Sequence, residues 1–98
     1  MEFLVALHTM VPEGTGTAEV AGRYQREAVR MRELARQGAV LRLWRPPAGP
    51  GERRALGLFT ARNEAELDAI VGSLPLREWM TVEITPLGEH PNDPASYT

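Results

Sequence analysis

The chain has 98 residues, enough for one domain with a modest core to which partner chains could add stability. Its 43% apolar and 24% charged residues describe an ordinary globular chain, and a net charge of −2 argues against a nucleic-acid partner, which normally requires a basic surplus on one face. There is no cysteine and no lysine, so thiolate nucleophiles, disulfides, cysteine metal sites and Schiff-base lysines are all excluded from its chemistry. No apolar run approaches the roughly 20 residues of a membrane span. The N-terminus has neither a basic n-region nor a cleavage site, so the expectation is a cytoplasmic protein that engages no membrane.

The first segment, 1-MEFLVALHTMV-11, is apolar on both sides and ends at Pro12 and 13-EGTGT-17, which predicts a central strand. Thr17 is the expected N-cap of a long helix over 19-EVAGRYQREAVRMRELARQG-38, with Gly38 at its C′ position. Advancing about 100° per residue places Val20, Tyr24, Met31, Leu34 and Ala35 in one arc. Glu27 falls inside that arc. A carboxyl group in apolar surroundings has its ionised form disfavoured and becomes a candidate for moving protons near neutral pH. The competing possibility is a small roll of the helix that pairs Glu27 with Arg23 or Arg30, at i−4 and i+3.

The next strand, 39-AVLRLWR-45, carries Ala39, Leu41, Leu43 and Arg45 on one side and Val40, Arg42 and Trp44 on the other. The run 46-PPAGPGE-52 cannot continue a ladder and reads as a long hairpin loop. A third strand, 53-RRALGLFT-60, returns from it. Asn63 and Glu66 form the pattern of a capping box for a second helix, 64-EAELDAIVGS-73, with a stripe of Leu67, Ile70, Val71 and Leu74. Pro75 stops that helix, 79-WMTVEITPL-87 reads as a fourth strand, and 88-GEHPNDPASYT-98 is a polar tail.

The order β-α-β-β-α-β with right-handed crossovers predicts a ferredoxin-like α+β fold: a four-stranded antiparallel sheet with both helices on one face. The strands are apolar on both sides, so the helix-free face needs a cover. A second copy is the simplest one, giving a homodimer built as a dimeric α+β barrel. The domain is expected to span residues 1–91, with 92–98 as a C-terminal tail.

Of the other chemistry-bearing residues, Trp44 and Arg45 at the strand end could form a pocket mouth, with the guanidinium facing a carboxylate or enolate oxygen. Arg42 could assist, and Tyr24 shares the arc of Glu27. The only histidines, His8 and His90, have no second ligand at metal spacing, so no metal is expected. His8 fits a structural role, while Ser73, Ser96 and 49-GPG-51 match no nucleophile or phosphate-loop context.

Three blocks together resemble the muconolactone delta-isomerase family: 1-MEFLV-5 with Pro12, 34-LARQG-38 leading into 43-LWR-45, and 74-LPLREWM-80 continuing through Glu83 and Leu87 to 90-HP-91. The resemblance implies the ferredoxin-like fold, sheet-paired dimers and decameric rings of such dimers. It implies conversion of muconolactone to the 3-oxoadipate enol-lactone, in catechol breakdown by the β-ketoadipate pathway, without cofactor. It places the family's helix glutamate on Glu27 and its tryptophan on Trp44; His90, at the end of the third block, is a further candidate for substrate binding. The chain departs from the family pattern at Ala28 and Ala6, where lysines are expected, and in 46-PPAGPGERR-54, longer and without a His-Tyr pair. Arg30, Arg42, Arg45 or Arg54 could restore the missing positive charge. Two alternatives follow from these departures: the same scaffold as an isomerase or cyclase on another small molecule in a biosynthetic pathway, or a non-catalytic ligand-binding module.

Overall fold

A computed structural model describes residues 1–97. The elements run β1 (Glu2–Met10), α1 (Thr17–Arg36), β2 (Val40–Trp44), β3 (Glu52–Thr60), α2 (Glu64–Gly72) and β4 (Met80–Leu87), with short 3₁₀ turns at Arg77–Trp79 and Pro94–Ser96. The strands form one antiparallel sheet in the order β2-β3-β1-β4, so β1 is central, as its two-sided apolar character requires. This is the expected α+β architecture.

Strand parity decides what the helices cover. Phe3, Val5, Leu7 and Thr9 of β1 are buried beneath them. Their partners across the ladders are Phe59, Gly57, Ala55 and Arg53 of β3, with Ile84, Val82 and Met80 of β4 on the other side. Leu34 of α1 and Leu67 and Val71 of α2 close the core from above. Residues of the opposite parity, Leu4, Ala6, His8, Leu56 and Leu58, lie half-buried on the helix-free face.

Three local details differ from the sequence reading. The N-cap of α1 is Gly16, not Thr17, and no side chain caps that end. In β2 a bulge between Val40 and Arg42 sets two residues against one of β3. Val40 therefore shares the helix-covered face with Leu43, although simple alternation puts them on opposite sides; the apolar β-branched side chain gains burial that strict pairing would deny it. The capping box forms only in part: Asn63 Oδ1 accepts from Glu66 N at 2.9 Å, while the Glu66 carboxylate accepts from Arg62 N rather than from Asn63.

The C-terminus of α1 follows its glycine. Gly38 adopts φ +79°, Gly38 N donates to Ala35 O at 3.1 Å, and Ala39 N donates to Leu34 O at 2.9 Å. This double closure sends the chain back along the sheet as β2. Gly57 has a different reason to be glycine: a Cβ there would collide with the Phe59 ring and press on Leu43. Gly57→Ala is expected to cost about 1–3 kcal/mol in urea unfolding, because the aromatic ring must leave its place in the core.

Candidate active site

Glu27 is 8% exposed and faces a cavity of about 620 Å³ between α1, the sheet and the β2–β3 hairpin. The i−4 and i+3 arginines do not pair with it. Arg23 instead binds Glu19 and Glu78, and Arg30 binds Glu33 and the Ser73 hydroxyl. The carboxylate has one hydrogen-bond partner among the described residues, Leu76 N, which donates to Oε1 at 3.1 Å. Burial pushes its pKa up, and the Leu76 N–H pulls it part of the way back.

The floor of the cavity is apolar, with Leu7, Ala55, Leu76 and Met80, and Thr9 lies beside them. Its mouth carries Arg45 and Pro46 from the hairpin, together with Arg53, whose guanidinium stacks over the Tyr24 ring at 4.2 Å. Neither Arg45 nor Arg53 enters an ion pair among the described residues. Arg54 also borders the cavity, but Glu52 Oε2 lies 3.7 Å from it and 3.2 Å from His8 Nε2. A carboxylate in a low-dielectric wall thus faces two guanidiniums that are outside any ion pair among the described residues, across a space large enough for a small organic molecule.

Glu27, Tyr24 and Arg45 meet at this cavity; the other candidates lie elsewhere in the single chain. Trp44 and Arg42 occupy the helix-free face, the guanidinium 5.1 Å from the indole centroid and the tryptophan 42% exposed. The reason is parity: Trp44 pairs with Leu56 and Arg42 with Leu58, both on that face. His90 sits in the exposed tail, where its Nδ1 accepts from Asn92 N at 2.9 Å. Arg30 is bound to Ser73 and Glu33 rather than free.

Arg53 and Thr9 line the cavity without having been singled out in the sequence, although the signal was there. Counting back by twos from Phe59 puts Arg53 inside, and counting forward from Phe3 does the same for Thr9. Leu76 N–H left no such trace, because a backbone donor has no sequence signature. No group of three or more His, Cys, Asp or Glu side chains suited to a metal comes together among the described residues, and no helix there is long and apolar enough to cross a membrane.

Residues 1–93 match the family model for muconolactone delta-isomerase. The chain belongs to the muconolactone delta-isomerase family. Membership places it among isomerases, which are enzymes. Muconolactone Delta-isomerase 1 of Acinetobacter lwoffii is 32% identical over 93 residues, covering 94% of this chain and 93% of that one. The muconolactone Delta-isomerase of Cupriavidus pinatubonensis is 27% identical over 92 residues, covering 94% and 97%. A crystal structure of muconolactone isomerase superposes with a TM-score of 0.81 at 24% identity, over 96% of this chain and 95% of that one. A mutant of SnoaB, a cofactor-independent oxygenase from Streptomyces nogalater, superposes at 0.53 with 18% identity, over 94% and 98%. At those identities the two structures speak for the fold alone.

The buried acid has a measurable consequence for stability. A carboxyl whose pKa is raised on folding contributes fully when pH lies below its unfolded value, and that contribution is lost as pH rises through the folded value. Glu27→Gln keeps an acceptor for Leu76 N–H without the charge. It is expected to be at least as stable as wild type at about pH 7 in urea unfolding, with the difference moving in favour of wild type as pH falls toward about 4.

Proposed function

We propose that the protein is a cofactor-free isomerase that moves a proton within an unsaturated lactone carrying a carboxylate, with conversion of muconolactone to the 3-oxoadipate enol-lactone as the reaction to test first. One observation carries this reading: among the described residues, a buried carboxylate with a single hydrogen bond opens on a cavity whose mouth holds two guanidiniums outside any ion pair. Family membership supports the reaction type.

Glu27 is the base. In a lactone with a C=C conjugated to its carbonyl, the proton at the far end of that system is acidic, because the electrons left behind spread to the carbonyl oxygen as a dienolate. Glu27 takes this proton and returns it to the carbon next to the carbonyl, which transposes the double bond and leaves composition and oxidation state unchanged. Desolvation raises the basicity of the carboxylate, and the apolar floor keeps water from the dienolate. Arg45 and Arg53 hold the substrate carboxylate and balance charge developing on the lactone oxygen. Arg53 takes the place of the cation absent at Ala28.

The hairpin from Arg45 to Glu52 supports a second reading on the same base. It contributes Pro46, Pro47 and Ala48 to the cavity wall, so a different hairpin admits a different anionic lactone or cyclic ketone, including one from a biosynthetic pathway. A cluster of biosynthetic genes around this one favours that reading, and catechol-degradation genes favour the first.

The helix-free face, with Leu4, Ala6, Leu56, Leu58 and Trp44, supports a homodimer in which two sheets meet, and rings of dimers can be built from that unit. In this arrangement Trp44 and Arg42 are interface residues first.

In steady-state kinetics on muconolactone, Glu27→Gln is expected to lower kcat about 10²–10⁴-fold with the fold intact by circular dichroism. Arg53→Met is expected to raise KM roughly tenfold or more with a smaller effect on kcat, the loss of one charged hydrogen bond to a bound carboxylate. Full turnover by the glutamine variant rules out Glu27 as the base. In analytical ultracentrifugation the wild type is expected to sediment as a dimer or larger and Leu56→Glu as a monomer; an unchanged sedimentation coefficient rules out this face as the interface.

A further inference from the structure

Arg23 and Glu27 lie one turn apart on α1, about 6 Å along the helix axis. Instead of pairing with each other they take opposite sides of one peptide group. Arg23 Nη1 donates to Pro75 O at 3.3 Å, and Leu76 N donates to Glu27 Oε1 at 3.1 Å. Pro75 C=O and Leu76 N–H are the two ends of the same planar unit, and in a trans peptide they point in opposite directions. The guanidinium is fixed in turn. It stacks on Trp79 at 4.3 Å and is bracketed by Glu19, at 3.4 Å, and Glu78. The Arg23 side chain is 20% exposed.

We infer that Arg23 is a positioning residue for Glu27, acting through the Pro75–Leu76 peptide. A cation bound to a peptide oxygen polarises the amide and makes its N–H a stronger donor, because hydrogen bonds in a chain reinforce one another. The donor at Glu27 is therefore set by a charge placed outside the cavity. The same contacts hold the segment between α2 and β4 against α1, which keeps Leu76 in the cavity wall and fixes which carboxylate oxygen is tied. Oε1 is bound to the peptide, leaving Oε2 for the substrate. Arg23 also acts on Glu27 through space, and Glu78, its ion-pair partner, allows that effect to be balanced: replacing both Arg23 and Glu78 by neutral residues leaves the local net charge unchanged and removes only the cation on the shared peptide.

Other charged and titratable groups around Glu27 are Tyr24 and Arg30 on α1 and Arg45, Glu52, Arg53 and Arg54 from the hairpin and β3. In the segment before β4, Arg77 donates to Met80 O and Glu78 is held by Arg23. None of these side chains hydrogen-bonds to the Pro75–Leu76 peptide among the described residues, so a charge-balanced substitution of Arg23 together with Glu78 isolates the relay.

The inference rests on Glu27 being the base, and the test separates the two. The Glu27 carboxyl of the full chain, labelled with ¹³C, is titrated by NMR alongside the kcat/KM–pH profile on muconolactone. Arg23→Met combined with Glu78→Gln keeps the stem against Trp79 and the local net charge but removes the cation from the peptide; it is expected to move the titration midpoint, and the acidic limb with it, upward by roughly half to one pH unit. Arg23→Lys, which keeps the charge, is expected to restore most of that shift. Should the methionine variant not fold, Arg23→Gln with Glu78→Gln is likewise charge-balanced and is expected to give the same upward direction. A midpoint that stays put, or turnover that falls at every pH with the acidic limb unmoved, overturns the relay and leaves Arg23 as a packing residue only. If Glu27→Gln retains full turnover, the positioning role falls together with the base, whatever the midpoint does. If Glu27→Gln is inactive and the midpoint is unmoved, the relay alone falls.

Discussion

One hydrogen bond organises the half of this molecule that holds the cavity: the donation from Leu76 N to the buried carboxylate of Glu27. A carboxylate removed from water is costly, and a fold can tolerate it only if something answers its charge. Here the answer is one backbone donor rather than a cation. The residual cost is expressed as a raised pKa, the property that a proton-moving group requires. Had Arg23 or Arg30 paired directly with Glu27, the acid would have been held ionised and its basicity weakened.

The surrounding architecture serves that bond. The core at one end of the helix–sheet sandwich is filled by Phe3, Phe59, Leu34 and Leu67, all buried. Toward the hairpin end the inward side chains become smaller or more polar, with Ala55, Thr9 and Arg53 in place of aromatic rings, and the space that would have been core becomes a cavity. The segment from Ser73 to Trp79 is tied along α1 by Arg30 through Ser73, by Arg23 through Pro75 and Trp79, and by Glu27 through Leu76. Three residues on one helical face, spaced four and three apart, grip one short connection. The break in the apolar pattern of α1 is thus a docking seam as well as part of the cavity wall.

Charge is partitioned between the two faces of the sheet by strand parity. Arg45 and Arg53 reach the cavity, whereas Arg42 goes to the helix-free face with Trp44. Within a strand, neighbours one residue apart face opposite ways, so a Leu-Trp-Arg sequence cannot present its tryptophan and its arginine to the same space. The two residues read together as a pocket mouth divide between two environments for that reason. The bulge in β2 makes the partition harder to read, because one extra residue inverts the parity of everything before it.

The sequence by itself determined the element order, the central place of β1, the Gly38 turn, the stripe of α2 and the anomalous position of Glu27. These follow from periodicity and from local backbone preferences, which act over a few residues. It also held the parity of Arg53 and Thr9, legible by counting from Phe59 and Phe3. Only the tertiary structure decided what faces Glu27. The choice between an ion pair one turn away and a peptide 49 residues away depends on how the connection after α2 lies across α1. That placement is a balance among the packing of Leu74 and Leu76, the stacking of Trp79 on Arg23, and the desolvation of one carboxylate. Those interactions join residues distant in sequence, and none leaves a pattern within a single segment.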